Sequence, residues 1–244
     1  MLTRDKLKLL LLQIRDEPRV RAEEHRSFCT YSGLQPEQLA VHNVFDSPDF
    51  GTEILEGYDA LIVGGASEAS VLEPQQFPFV PASIRLMRTC MARDFPVFAS
   101  CFGFQLAVLA LGGEIIRDDR DFEMGCIPIQ LTEEAATDAL FHDAPDGFHA
   151  VAVHRERSVD FPDGVVPLAF TDQCSHAFRV EGKRFWAFQF HPEVDRRTLI
   201  ERLTIFSAHY TEGAGHLQKI LNAAVETPYS NNLVSHFVDR VLLS

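Results

Sequence analysis

The residues from Phe95 to Gly113, FPVFASCFGFQLAVLALGG, constrain the fold more than any other stretch of the chain. The apolar run Pro96 to Ala99 is too short for a helix and begins at a proline, which predicts a buried strand. Phe104 to Leu111 is a continuous apolar segment stopped by Gly112 and Gly113, the pattern of a buried helix with a glycine end. Between them sits Cys101, with the small residues Ala99 and Gly103 two positions away on either side. Strand, small-x-nucleophile-x-small turn and helix together make a nucleophile elbow, a turn so tight that bulk at the flanking positions would strike neighbouring backbone. The thiol then stands at a helix N-terminus, where unpaired N–H groups and the helix dipole favour negative charge. A free cysteine usually only packs. Here the frame around it makes Cys101 a candidate nucleophile.

The flanking sequence predicts a sheet built on that strand. Leu7 to Ile14, Leu39 to Phe45 and Tyr58 to Val63 read as strands. Pro18 opens a surface helix with Val20, Glu24, Phe28 and Tyr31 along one side, and Ala82 to Met91 reads as another helix. Such alternation predicts an α/β fold: a doubly wound, mostly parallel sheet with helices on both faces. Downstream, Glu114 to Ile116, Cys126 to Leu131, Phe148 to Val153, Val165 to Thr171, Ala177 to Val180 and Phe185 to Phe190 are closely spaced strands, so the sheet continues with mixed or antiparallel pairing.

Ligands of doubly wound sheets sit beyond the strand C-termini. Gly64-Gly65 and Cys101 both occupy that edge. A glycine pair lets backbone N–H groups approach a bound group. No G-x-G-x-x-G or Walker pattern accompanies it, so an oxyanion donor is a better reading than a phosphate loop. The last predicted strand runs into His191-Pro192-Glu193, which supplies a base and an acceptor to orient it.

Composition narrows the function classes. At 244 residues and 46% hydrophobic, the chain suffices for one large α/β domain or two small ones. A net charge of −13 without a basic stripe argues against nucleic acid as a partner. The five cysteines are scattered and include no C-x-x-C pair, which predicts neither a disulfide framework nor a zinc cluster and suits a reducing, cytoplasmic setting. His142, His149 and His154 are too widely spaced for a zinc motif. No segment approaches the roughly 20 apolar residues of a membrane span. The basic residues ahead of Leu9 to Leu12 lack the rest of a signal peptide.

Phe98-Ala99-Ser100-Cys101-Phe102-Gly103-Phe104-Gln105, with Gly64-Gly65 upstream and Gln189-Phe190-His191-Pro192-Glu193 downstream, resembles the three signature blocks of class I glutamine amidotransferases. The segment from His154 through Arg179 is similar to the region that GMP-synthase-type members carry before the catalytic histidine. The resemblance implies a flavodoxin-like fold and a Cys101-His191-Glu193 triad that takes ammonia from the side chain of L-glutamine through a glutamyl thioester. It further implies an oxyanion hole from the N–H groups of Phe102 and Gly65, with Gly64 as second choice, and places Gln105 against the substrate. It implies no metal and no cofactor. Ala66 departs from the proline many members have after the glycine pair, which implies a differently set oxyanion loop. Ser100 and Phe104 also depart, without removing catalytic chemistry.

The resemblance covers residues 7 to about 210, and 1–210 is read as the amidotransferase-like domain. Residues 211–244 are read as a helical extension packed on it. Thr198 to Tyr210, the stripe Leu217, Ile220, Leu221 and Ala224 beyond Gly213 to Gly215, and Leu233 to Leu242 supply amphipathic helices. No synthetase portion is recognised, so a separate synthetase subunit or a second copy of the chain is the expected macromolecular partner. Two alternatives accompany the glutaminase reading: a γ-glutamyl hydrolase using the same triad, and a regulatory subunit that keeps only the fold. The intact triad argues against the last. The deglycase and intracellular-protease group shares the elbow cysteine, but the H-P-E block favours the amidotransferases.

Overall fold

Four strands whose side chains are buried on both faces form the middle of the molecule, and their continuous apolar character is what a covered parallel sheet requires. The computed structural model describes residues 2–120, 122–206 and 214–244, and the side chains of all of these but 214–216. The strands are β1 (Leu9–Gln13), β2 (Leu39–Asn43), β3 (Ala60–Val63), β4 (Val97–Ser100), β5 (Ile116–Arg117), β6 (Glu123–Leu131), β7 (Phe148–His154), β8 (Glu156–Arg157), β9 (Val165–Phe170), β10 (Ser175–Val180) and β11 (Phe185–Phe188). The main sheet has the order β2-β1-β3-β4-β11-β10-β9-β6-β7, and β5 pairs separately with β8. From β2 to β11 every pairing is parallel. From β11 onward every pairing is antiparallel.

The helices are α1 (Pro18–Ser32), α2 (Phe79–Arg93), α3 (Phe102–Ala110), α4 (Arg196–Ile205), α5 (Ala214–Ala223) and α6 (Pro228–Phe237). Because strand side chains alternate, Leu10, Leu12, Leu61, Val63, Val97 and Ala99 pack with α2 and α3 on one face. Leu9, Leu11, Ala60, Ile62 and Phe98 face the other way, against α1 and α6. Phe237 of α6 lies edge-on to Phe98, ring centroids 5.5 Å apart. Thus part of the stretch read as an extension contributes to the main core. A smaller cluster, Leu199, Leu203 and Ile220 against Val151, seats α4 and α5. The expected helix to Tyr210 runs over Arg196–Ile205, and Tyr210, Gly213 and the 210/211 boundary lie outside the described residues.

The helix expected from Pro18 forms as α1, with Val20, Glu24 and Phe28 on its buried side and Arg19, Ala22 and Arg26 exposed. Glu24 of α1 is fully buried, for a reason that lies in the site. Among the described residues, no helix is long and apolar enough to cross a membrane.

Candidate active site

Cys101 sits between β4 and α3 with φ +50° and ψ −99°, a conformation a non-glycine residue adopts at a cost of about 1–3 kcal/mol. Its N–H donates to the Phe188 carbonyl at 2.7 Å, and its carbonyl accepts from the Gln105 N–H at 3.1 Å. One bond anchors the turn to β11 and the other starts α3. A Cβ on Gly103 would lie 3.0 Å from both Cβ and the carbonyl oxygen of Val63, so the small residue is a packing requirement of the elbow. Phe102 is the first residue of α3, and a first-turn N–H has no intrahelical acceptor.

The two glycines after β3 face different surroundings. A Cβ on Gly65 would stand 2.6 Å from His191 Cε1, 2.9 Å from Arg15 Nη2 and 3.3 Å from Cys101 Cβ. One on Gly64 would meet the Glu24 carboxylate, and the Gly64 N–H already donates to the Leu12 carbonyl at 3.1 Å. Gly65 is therefore the glycine whose backbone lies against the cysteine and histidine.

His191 follows β11, and its N–H donates to the Val151 carbonyl at 2.8 Å. Its Nδ1 lies 2.7 Å from Glu193 Oε1, and this leaves Nε2 for Cys101. Burial alone would push the imidazole down, but the negative charges of Cys101 and Glu193 and its hydrogen bonds to both carry it up to about 9. Burial pushes Glu193 up, and the charge and hydrogen bond of His191, with Arg202 further off, hold it down at about 2. Arg202 Nη1 is 3.7 Å from Glu193 Oε1, while its Nε donates to Glu23 at 2.6 Å. Asn231 of α6 clasps this turn, its Nδ2 donating to the carbonyls of Pro192 at 2.8 Å and Val194 at 3.0 Å.

Arg15, just beyond β1, was not visible as a site residue in the sequence. Its side chain is 1% exposed, with Nε donating to Glu24 and Nη1 to Ser67 Oγ, both at 2.8 Å. Burial disfavours its charge, but Glu24 and then the more distant Glu193 and Cys101 raise it beyond its ordinary value. Burial likewise pushes the Glu24 carboxyl up, against the lowering influence of Arg15 and Arg202. Arg15 Nη2 has no hydrogen-bond partner among the described residues and faces Gly65. The bond to Ser67 ties down the loop that Ala66 left without its proline. No local pattern announces such a cation, because its partners lie on α1 and after β3.

A cavity of about 200 Å³ opens over Cys101, walled by Ser67, Gln105, Arg117 and the stretch Val153 to Glu156. Gln105 lies in this wall, its Nε2 donating to the Glu156 carbonyl at 2.9 Å. The Glu156 carboxylate accepts from Ser70 Oγ at 2.6 Å and lies 3.8 Å from Arg117 Nη1. Burial pushes that carboxyl up, against the hydrogen bond from Ser70 and the charge of Arg117. Behind the same wall, Glu123, His154, Cys174 and His176 bring metal-ligating atoms together. His154 thus has neighbours that its sequence spacing from His142 and His149 did not disclose.

An elbow cysteine on a doubly wound sheet, with a histidine and carboxylate after the adjacent parallel strand, defines a class of α/β proteins that present a thiol beside an imidazole at the strand ends. Residues 37–205 match the family model "Glutamine amidotransferase class-I", and the chain belongs to that family. A GMP synthase [glutamine-hydrolyzing] of Thermotoga maritima is 34% identical over 176 residues, 71% of this chain and 32% of the relative. The chain thus spans about a third of the length of that GMP synthase. A γ-glutamyl-L-1-hydroxyisopropylamide hydrolase of Pseudomonas sp. is 25% identical over 195 residues, 72% of this chain and 65% of the relative. The crystal structure of a glutamine amidotransferase from Thermotoga maritima superposes with a TM-score of 0.78 at 16% identity, covering 97% of this chain and 98% of that one. The fold is thus the flavodoxin-like α/β fold of class I glutamine amidotransferases.

Proposed function

We propose that this chain hydrolyses the side-chain amide of glutamine, releasing ammonia and glutamate through Cys101, His191 and Glu193. The observation that carries the proposal is the meeting of Gly65 backbone, Cys101 and His191 at one point, with Glu193 2.7 Å from the far nitrogen of the imidazole. Cys101 Sγ, as the thiolate partner of the protonated His191, attacks the carboxamide carbon. The oxyanion is held by the N–H groups of Phe102 and Gly65, with Arg15 contributing positive charge from behind that loop. His191 Nε2 gives its proton to the departing nitrogen, and ammonia leaves. Water, deprotonated by the same nitrogen, then opens the thioester to release glutamate and restore the thiol. Glu193 holds the ring in the tautomer and orientation both steps require. At the cavity's other end, Arg117 takes the α-carboxylate and Glu156 the α-ammonium, while Gln105 positions the Glu156 backbone.

The same machinery acts on any γ-glutamyl amide whose nitrogen substituent the cavity accepts. The similarity to the Pseudomonas hydrolase, whose own length the match covers to 65%, favours keeping γ-glutamyl amides as a second reading. A separate synthetase subunit that consumes the ammonia is the partner proposed for the first reading, by analogy with the GMP synthases. Release of glutamate and ammonia from L-glutamine, beside release of amine from a γ-glutamyl alkylamide, tests both, with Cys101→Ala as the control. Glutamine turnover that vanishes in the variant supports the amidotransferase reading, amide turnover alone supports the hydrolase, and turnover that survives Cys101→Ala overturns both.

A further inference from the structure

The cluster behind the cavity wall is assembled by strand geometry. Glu123 and His154 are cross-strand partners where β6 and β7 pair. Cys174 immediately precedes β10 and His176 is the second residue of that strand, which brings both beside the β6–β7 pair. All four are buried. Glu123 Oε2 lies 2.7 Å from His176 Nε2, 3.1 Å from His154 Nε2 and 3.4 Å from Cys174 Sγ. The four ligand atoms fall within 4.8 Å of one another. Ligand atoms around a tetrahedral zinc ion are roughly 3.3–3.8 Å apart, given its bond lengths, so the set closes by movements on the order of 1 Å.

Glu123 Oε2 is the common partner of both imidazoles and the sulfur. Glu123 accepts from His176 and pairs with His154 through their Nε2 atoms, while Nδ1 of each ring has no hydrogen-bond partner among the described residues. The donor set of two imidazoles, one sulfur and one carboxylate oxygen is that of zinc-class ions. A divalent ion bound to ionised Glu123 and Cys174 gives a site of zero net charge, the condition under which ions tolerate burial. We propose that Glu123, His154, Cys174 and His176 form a binding site for a divalent transition metal of the zinc class. Binding forms the metal–sulfur bond as the Cys174 S–H bond breaks, and the proton passes to solvent. Because His154 lies in the wall between Val153 and Glu156, the ion would fix the strand end that borders the substrate cavity.

Cobalt(II) is the probe, titrated into the chelator-treated full chain carrying Cys101→Ala, so that the catalytic thiol cannot supply the signal. The expected result is saturation at one equivalent, with sulfur-to-cobalt charge-transfer absorption in the near ultraviolet and visible bands of four-coordinate intensity. One equivalent of zinc should remove the bands, and either metal should raise the unfolding temperature of the chain. In the same background Cys174→Ser should lose the charge-transfer band, and His176→Gln should lose the visible bands, each with circular dichroism unchanged before metal is added. Absence of these bands at saturating cobalt, or bands that survive both substitutions, overturns the proposal. If one variant does not fold, the other decides by the same criterion. The readout is a spectrum of unreacted protein, so it stands or falls independently of the glutaminase reading.

Discussion

At Gly65 the absence of a side chain is required by three neighbours at once. Gly65→Ala would place a methyl 2.6 Å from His191 Cε1, and the ring would move away from Cys101. We expect kcat for glutamine to fall by about 10²-fold, the usual effect of a misplacement near 1 Å, with the fold retained by circular dichroism. Gly64→Ala would meet the Glu24 carboxylate instead, and should act through the Arg15 pair. Glu193→Gln keeps the side chain's shape but removes one of the two negative charges that raise His191, so kcat should drop by between about 10²- and 10⁴-fold. The ionisations also mark the pH dependence of stability. His191 is raised from 6.5 to about 9 in the folded chain. Its contribution is therefore fully present below pH 6.5 and lost as pH rises through about 9. Glu193, lowered from 4.5 to about 2, contributes above pH 4.5 and ceases to as pH falls toward 2. Denaturant titrations between pH 6 and 10, a range spanning the His191 values, should show a decline in stability that is smaller in His191→Ala.

Between elements, α6 braces the turn that carries His191. Asn231→Ala removes the hydrogen bonds to the Pro192 and Val194 carbonyls, of which Val194 keeps the Thr227 hydroxyl at 3.4 Å. The expected cost is about 1–3 kcal/mol of stability, with kcat reduced more than KM, as steady-state kinetics on glutamine would show. Such a link between residues 192 and 231 has no trace in local sequence. The elbow does, because the small residues it demands lie within two positions of Cys101. His191 and Glu193 were legible for the same reason, being two residues apart after an apolar run. The parallel strands were legible from their apolar runs, and their ends differ from expectation by one or two residues, as between Leu7 to Ile14 and Leu9–Gln13. Arg15, Glu24 and the Glu123 cluster were not legible, since each owes its burial to partners on other strands and helices. A charged residue in a mixed-charge segment reads as solvated unless those partners are known.

Over the whole molecule, a parallel half carries Cys101 and the glycine loop, and an antiparallel half supplies the cavity wall. His191 follows β11, where the two halves meet. Phe237 joins the ends of the chain's course by packing on Phe98 of β4 and near Trp186 of β11. Phe237→Ala should cost about 3–5 kcal/mol, as loss of a fully buried aromatic does, and a thermal melt would show it as a single lowered transition. The clasp of Asn231 on the His191 turn also bears on synthesis. Domains form from the N-terminal side as the ribosome delivers them, and here the thiol is delivered 90 residues before its base and 130 before the clasp, by the difference in residue numbers. A nascent chain therefore carries Cys101 before His191 and Asn231 are made, so the proposed chemistry waits on the later part of the chain.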